Sequence, residues 1–140
     1  MNIPTFKLLD GAAILPKKAT AGSAGYDLSA VQNVTVVGGQ GTYLIKTGVA
    51  MQIPLGYYGR IAMRSGLALR EHLNCSAGVI DADYYPREIG VLVYCTKINH
   101  TVTINSGERF AQIICEKIAD DAMLSAPSIE HAGFGSTGLN

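Results

Sequence analysis

The sequence has no excess of charge of either sign, few charged residues overall, and only three cysteines. Among its 140 residues, eleven lysines and arginines balance eleven aspartates and glutamates, and charged residues make up 16% of the chain. A domain that coats nucleic acid is usually strongly basic, so this balance argues against direct nucleic-acid binding. An anionic ligand would therefore have to meet a local cluster of cations and backbone N–H groups.

Several familiar signatures are also missing. The cysteines Cys75, Cys95 and Cys115 form no Cys-x-x-Cys pair, and their odd number favours reduced thiols. No apolar run approaches the length of a membrane span, and residues 1–18 lack the features of a secretory signal. We therefore expect a cytoplasmic or nuclear protein with no membrane partner. P-loops, dinucleotide-binding glycine fingerprints and zinc motifs are absent too.

The pattern along the chain predicts one all-β domain. A chain of this length should expose roughly 7,000 Å² when folded against roughly 21,000 Å² unfolded, which leaves a real core. Short apolar runs, separated by Gly, Pro, Asn and Asp, are typical of a sandwich, jelly roll or barrel. The predicted strands are Thr5–Leu9, Val34–Val37, Tyr43–Ile53, Tyr57–Ala62, Glu88–Cys95, Thr101–Ile104 and Arg109–Ile118. We expect Glu88–Cys95 to be buried on both sides, Thr101–Ile104 to be half-buried, and Leu67–His72 to form one or two helical turns.

Residues 125–140 differ from the rest in composition. They contain Pro127 and the glycine-rich run Gly133–Gly138, which loses much entropy if it is held in one conformation. A frayed terminus is the usual fate of such a segment, but Phe134 favours contact with a surface. We predict a β domain at residues 1–124 followed by a flexible C-terminal segment at residues 125–140.

Two of four polar clusters contain groups suited to phosphate. Asp27 stands in the run 24–28 (AGYDL), where we expect a turn between strands. Arg64, Ser65 and Gly66 place a guanidinium, a hydroxyl and an unobstructed backbone N–H side by side at a strand end. These donors match phosphate oxygens, although Arg64 alone could simply form a surface ion pair.

The other two clusters are the run 78–84 (GVIDADY) and the glycine-rich run in the C-terminal segment. Asp81 and Asp83 would share one face if their segment is extended, and Tyr84 follows them. Aspartates also favour turns, so the two carboxylates could be turn formers without a chemical role.

Taken together, these clusters resemble the five ordered motifs of the homotrimeric deoxyuridine triphosphatase (dUTPase) family. The matching runs are 24–30 (AGYDLSA), 59–68 (GRIAMRSGLA), 78–84 with 88–91 (GVIDADY, EIGV), 107–114 (GERFAQII) and 133–138 (GFGSTG). The resemblance implies a jelly-roll or β-barrel subunit, a homotrimer, and Mg²⁺-dependent hydrolysis of dUTP to dUMP and pyrophosphate. It also implies that residues 125–140 of one subunit close an active site of a neighbour. Such an enzyme keeps uracil out of DNA and supplies dUMP for thymidylate synthesis.

The same resemblance implies a role for each residue of the motifs. Asp81 would be the general base that deprotonates the water attacking the α-phosphorus. Asp27 would hold Mg²⁺ through water, and Gln112 would contact phosphate or metal-bound water. Arg109 is either a phosphate-site residue or part of a structural ion pair. The implied substrate-binding residues are Arg64, Ser65 and Gly66 for the phosphates, Gly78, Val79, Ile80, Tyr84 and Gly90 for the base and sugar, Phe134 for stacking on uracil, and Gly135, Ser136 and Thr137 for closure over the outer phosphates.

Two of the chain's departures from the family pattern bear on the active site. Ile129 stands where the family usually carries an arginine, and Pro86-Arg87 includes an apparent one-residue insertion. Two other functions stay open on the sequence alone: a dCTP deaminase of the same fold, possibly bifunctional, and a non-catalytic regulator derived from this fold.

Overall fold

The computed structural model describes residues 3–119; the glycine-rich C-terminal segment predicted at 125–140 lies outside these residues. Within the described part the chain forms eleven strands, one α-helix and one 3₁₀ turn at Ala82–Tyr84. The strands are β1 (Thr5–Leu8), β2 (Gly25–Ser29), β3 (Val34–Val37), β4 (Tyr43–Lys46), β5 (Val49–Gln52), β6 (Tyr57–Met63), β7 (Leu73–Ser76), β8 (Val79–Ile80), β9 (Gly90–Cys95), β10 (Thr101–Ile104) and β11 (Arg109–Lys117), and the helix is α1 (Ser65–Glu71).

The strands pair into small antiparallel sheets that wrap one core in a jelly-roll-like arrangement. One sheet has the order β2-β11-β6-β8 and a second has the order β4-β9-β7, while β1 pairs with β5 and β10 with β3. Most of these partners lie far apart in the chain, as the pairing of β11 with both β2 and β6 shows. The predicted all-β, jelly-roll-like fold is confirmed.

Alternating burial explains why these segments form strands. In β10, Val102 and Ile104 are buried while the intervening threonines are exposed, which confirms the predicted half-buried strand. In β9, Val91 and Val93 point into the core but Leu92 is exposed. The expectation that Glu88–Cys95 is buried on both sides is therefore wrong, because β9 covers the core with one face only.

The strand assignment also differs from the sequence-based expectations in several places. The predicted strand Tyr43–Ile53 is two strands, because the chain turns at Thr47 and Gly48, where Gly48 has φ +70°. β2 and β7 were not predicted as strands, because their glycine, asparagine and small residues are more typical of turns. All three cysteines are free, as expected. Across residues 3–119, no helix is both long enough and apolar enough to cross a membrane.

Candidate active site

The junction of β6 and α1 forms the first part of the site. β6 ends at Met63, and Arg64 has extended backbone angles (φ −76°, ψ 133°) before the helix begins at Ser65. Arg64, Ser65 and Gly66 therefore lie at a strand end, as predicted. Their position is fixed by β11, because Met63 is the cross-strand partner of Ala111.

Asp27 lies inside β2 and not in a turn, which corrects the sequence-based expectation. Its cross-strand partner is Gln112 of β11, so the pairing of two distant segments brings these side chains to the same sheet. The Asp27 carboxylate faces two guanidinium groups: Oδ2 lies 3.6 Å from Arg109 Nη1, and Oδ1 lies 4.0 Å from Arg64 Nε. The Asp27 side chain is 15% exposed, so this carboxylate orients both arginines from a half-enclosed position.

A cavity of about 520 Å³ opens beside this carboxylate, and we call it the arginine cavity. Its lining consists of Asp27, Arg64, Ser65, Gly66, Leu67, Arg70, Gly107, Glu108, Arg109 and Gln112. Three arginines face two carboxylates, so the lining has an excess of positive charge, with hydroxyl and amide groups added. Such a set suits an anion with several oxygens, for which guanidinium groups give charge-assisted, bidentate hydrogen bonds.

Arg109 forms the ion pair that was one of its two expected roles, and it also lies at the arginine cavity. Its side chain pairs with Asp27 and also lines the arginine cavity, with 56% of its surface exposed. The backbone carbonyl of Arg109 accepts a hydrogen bond from Arg64 Nη1 at 3.4 Å, which ties the two arginines together.

Gly25 and Gly66 leave room for side chains of the arginine cavity. A Cβ atom at position 25 would lie 2.6 Å from Gln112 Oε1, and one at position 66 would lie 2.7 Å from Arg70 Nη2. Gln112 Nε2 also donates to the Met63 carbonyl at 3.5 Å, across the β6–β11 pair. Both glycines therefore determine where a polar group of the cavity lies.

A second cavity of about 190 Å³ contains the residues expected to bind the base, and we call it the Asp81 cavity. Its lining consists of Ile61, Ser76, Ala77, Gly78, Val79, Ile80, Asp81, Tyr84, Gly90, Val91 and Leu92. Gly78 has φ +98°, and its carbonyl accepts a hydrogen bond from Ile61 N at 2.9 Å. β8 pairs with β6 and not with β9, so Gly78 and Gly90 reach this cavity from two different sheets.

The two aspartates of this region do not share one face. Residues 82–84 form a 3₁₀ turn that begins directly after Asp81, so the extended conformation that would align the carboxylates is absent there. Asp81 lines the cavity, whereas Asp83 does not belong to its lining. Tyr84 lines it as well, and its hydroxyl donates to the Glu88 carbonyl at 2.9 Å, which fixes the ring.

The arginine cavity and the Asp81 cavity have no lining residue in common. Within one chain, the expected phosphate-binding residues and the expected general base therefore line different cavities. Phe134, Gly135, Ser136 and Thr137 lie outside the described residues.

Sequence reasoning missed two charged residues of the arginine cavity, Arg70 and Glu108. Arg70 had a partial signal, because it lies in the segment Leu67–His72 that was expected to be helical. The helix begins earlier, at Ser65, so Gly66 and Arg70 share a helix face. Glu108 lies inside a recognised motif but carried no distinguishing pattern.

One polar cluster lies on the β6–β11 pair outside both cavities. Glu116 accepts hydrogen bonds from the Tyr58 hydroxyl and from Arg60 Nε, the latter at 3.0 Å. The hydrogen bond from Tyr58, followed by that from Arg60, lowers the pKa of Glu116 below its usual value.

The fold and the arginine cavity define a jelly-roll-like β protein with a cavity whose lining suits a polyanionic ligand. Comparison with known proteins identifies the family. The sequence model of the dUTPase family matches residues 12–139. The chain is 41% identical to the deoxyuridine 5′-triphosphate nucleotidohydrolase of Saccharomyces cerevisiae over 142 residues, covering 94% of this chain and 92% of the yeast protein. It is 42% identical to the fowlpox virus nucleotidohydrolase of the same name, covering 99% and 98% of the two chains.

Solved structures agree with this assignment. The dUTPase of phage phi11 of S. aureus superimposes with a TM-score of 0.82 at 27% identity, covering 92% of this chain and 99% of the phage chain. A variant of that protein shows the coordination of a structural Mg(II) ion. A variant of the dUTPase of Staphylococcus bacteriophage 80alpha, solved with the nucleotide analogue dUpNHpp, gives a TM-score of 0.81 at 26% identity, and the match covers 94% of this chain and 100% of the phage chain. The chain belongs to the dUTPase family.

Proposed function

We propose that this protein is a dUTP diphosphatase that hydrolyses dUTP to dUMP and pyrophosphate by attack of water on the α-phosphorus. Family membership and the shared name of its relatives support this reaction over deamination of dCTP or a purely regulatory role. The observation that carries the proposal is the arginine cavity, where motif residues from three distant parts of the chain meet.

The arginine cavity binds the triphosphate. Arg64 donates from its guanidinium, Ser65 from its hydroxyl and Gly66 from its backbone N–H. Because Asp27 holds Arg64 and Arg109 in place before substrate arrives, little reorganisation is needed on binding. Catalysis of phosphoryl transfer depends mainly on such positioning and charge neutralisation.

Oxygen donors of the arginine cavity fit a magnesium ion held largely by substrate and water. Asp27 and Gln112 offer a carboxylate and an amide oxygen, which are ligand types that Mg²⁺ prefers. Two guanidinium groups already face the Asp27 carboxylate at 3.6 and 4.0 Å, so we assign Asp27 and Gln112 to water-mediated contacts. When bound, Mg²⁺ neutralises charge on the phosphates.

The Asp81 cavity binds uracil and deoxyribose and supplies the general base. Backbone groups at Gly78, Ile80 and Gly90 can match the donor and acceptor edge of uracil without charged side chains, and Val79 completes the wall. Tyr84 packs against the sugar where a 2′-hydroxyl would lie, and its hydrogen bond to Glu88 holds it there. Asp81 takes the proton of the attacking water.

A homotrimer brings the two cavities together. Since the arginine cavity and the Asp81 cavity are separate in one chain, a complete site needs the arginine cavity of one subunit beside the Asp81 cavity of the next. Residues 125–140 of a subunit then close the site, with Phe134 on the base and Gly135, Ser136 and Thr137 on the outer phosphates.

The proposed function is tested by incubating the protein and Mg²⁺ with dUTP, dCTP, dTTP and UTP and measuring pyrophosphate and ammonia. We expect pyrophosphate from dUTP only and ammonia from none. Comparable pyrophosphate release from all four nucleotides would contradict base and sugar selection, and ammonia from dCTP would point to a deaminase.

A substitution at Asp81 tests its role as general base, and the same substitution at Asp83 is the matched control. Asp81→Asn should lower kcat by roughly 10²–10⁴-fold while leaving binding of dUpNHpp nearly unchanged, because a general base acts in the reaction and not in binding. Asp83→Asn removes the same charge outside the Asp81 cavity and should keep nearly full activity. Equal losses in the two variants would show that the effect is one of charge or folding.

A further inference from the structure

The arginine cavity contains an arginine that the family motifs leave without a role. Arg70 lies in the last turn of α1 and lines the cavity together with Arg64 and Arg109. Its place follows from the helix, because residues four apart lie on the same face and Gly66 is already at the cavity wall.

The Arg70 guanidinium lies across Gly66, in space that any other residue at position 66 would fill. A Cβ atom at that position would be 2.7 Å from Arg70 Nη2, 3.1 Å from Nη1 and 3.2 Å from Cζ. All three distances involve the planar guanidinium group, so the whole group is close to the Gly66 backbone. Gly66 thus allows Arg70 to reach the same spot as the proposed phosphate-binding N–H.

Arg70 also differs in charge compensation from the other arginines of the cavity. Arg64 and Arg109 both face the Asp27 carboxylate. For Arg70, residues 3–119 provide no carboxylate oxygen within 4.0 Å. Its guanidinium, with five donors and no carboxylate partner in the described chain, is therefore available to an anion in the cavity.

A structural role for Arg70 makes a different prediction. A cation in the last turn of a helix interacts favourably with the helix dipole, and lysine would do this as well as arginine. A residue with only that role would affect stability and would not distinguish ligands with phosphates from ligands without them.

We propose that Arg70 is a phosphate-binding residue of the active site, whose guanidinium lies over Gly66 and donates hydrogen bonds to the triphosphate of the substrate. This inference rests on the proposed function, since it takes the arginine cavity to be the triphosphate site. The proposal adds Arg70 to the phosphate-binding residues of the motifs. It also gives Gly66 a second role, which is to leave room for the Arg70 guanidinium.

The test compares two ligands of the full-length protein in the presence of Mg²⁺: dUpNHpp, which has a triphosphate chain, and deoxyuridine, which has none. Arg70→Gln should weaken dUpNHpp binding by about tenfold or more, as expected for loss of hydrogen bonds from a charged group. Deoxyuridine should bind within about twofold of wild type, because it lacks the group that Arg70 contacts. Arg70→Lys should bind dUpNHpp with intermediate affinity, because lysine keeps the charge but loses the planar fork.

Lys7→Gln is the matched control, because it removes one positive charge from exposed residue 7 of β1, outside the arginine cavity. It should bind both ligands as wild type does. Unchanged dUpNHpp affinity in Arg70→Gln, or an equal loss for both ligands, would overturn the proposal. If Arg70→Gln does not fold, Arg70→Lys decides: affinity for dUpNHpp equal to wild type overturns the proposal, and a selective loss supports it.

A double-mutant cycle tests the contact between Arg70 and Gly66. Gly66→Ala should weaken dUpNHpp binding in the wild-type background and have a much smaller effect in an Arg70→Ala background, because the displaced guanidinium is then already missing. Equal effects in the two backgrounds would contradict the proposed contact between Gly66 and the Arg70 guanidinium. If wild type releases no pyrophosphate from dUTP, the proposed function itself fails; if wild type is active and only the Arg70 results disagree, this inference alone fails.

Discussion

At the scale of single residues, the main feature of the site is a carboxylate shared by two cations. Asp27 is 15% exposed and faces both Arg64 and Arg109, so its charge compensates theirs while leaving their remaining donors directed at the cavity. An arginine fixed in this way loses less side-chain entropy when it binds phosphate. Arg70 has no such partner in residues 3–119, which makes it the cation of the cavity most dependent on ligand for compensation.

The cluster of Tyr58, Arg60 and Glu116 allows a stability prediction with a definite sign. Its hydrogen bonds lower the pKa of Glu116 in the folded protein below the ordinary value of 4.5. Its contribution to folding stability is therefore present above the pKa of the unfolded chain and is lost as pH falls through the folded pKa. Because the cluster is exposed to solvent, the effect should be small and sensitive to salt.

We expect Tyr58→Phe to be less stable than wild type at pH 7, because Glu116 loses the hydrogen bond that lowers its pKa most. The difference between the two proteins should shrink as the pH falls through the lowered pKa of Glu116, because the carboxyl is then protonated in both. Urea unfolding at pH 7 and pH 3, at equal protein concentration, measures this difference in the free energy of unfolding. A difference that is constant or larger at pH 3 would contradict the assignment.

At the scale of elements, β11 organises the site. It pairs with β2 on one side and with β6 on the other, and it carries Arg109 and Gln112. Gln112 lies opposite Asp27 in one pairing and opposite Ala62 in the other. One strand thus sets the positions of the amide, the carboxylate and the strand end that leads to Arg64.

Gly25 in β2 tests this arrangement. Gly25→Ala would place a Cβ atom 2.6 Å from Gln112 Oε1 and 3.1 Å from Gln112 Cβ, so the amide must move. We expect the affinity for dUpNHpp to fall by roughly 2- to 10-fold, the range of one net hydrogen bond, with a modest loss of thermal stability. Gly22→Ala is the control, because a Cβ atom there meets nothing within 4 Å. If both variants bind the analogue as wild type does, Gly25 does not position Gln112 for the ligand.

Sequence patterns predicted the elements that bury an alternating face, such as β10, and the strand end before Arg64. They placed Asp27 in a turn, because a run with glycine and aspartate has weak strand character. That run is a strand because β11 pairs with it from more than 80 residues away, and no local pattern shows such a partner. Likewise, the motifs supplied the proposed site residues but could not show that those of the described chain line two different cavities, since this depends on tertiary packing.

At the scale of the whole molecule, the proposal of a site shared between subunits depends on the division of the site residues between two cavities. In the proposed function the arginine cavity binds the phosphates and the Asp81 cavity holds the base and the attacking water, and the two cavities have no lining residue in common. In the proposed homotrimer, each interface would pair these unlike surfaces and complete one site.

The most direct test mixes two inactive variants. Arg64→Gln damages the arginine cavity and Asp81→Asn removes the base, so each variant alone should release almost no pyrophosphate from dUTP. In trimers formed from an equal mixture, about one quarter of the interfaces pair two undamaged cavities, and activity should recover to about that fraction of wild type.

A matched mixture controls for nonspecific effects of mixing. Asp27→Asn and Arg64→Gln damage the same cavity of the same chain, so their mixed trimers contain no intact arginine cavity and should show no recovery. The measurement is pyrophosphate release from dUTP after co-refolding the variants in equal amounts. We expect recovery with Arg64→Gln plus Asp81→Asn only; no recovery in that mixture, with mixed trimers present, would contradict a site shared between subunits.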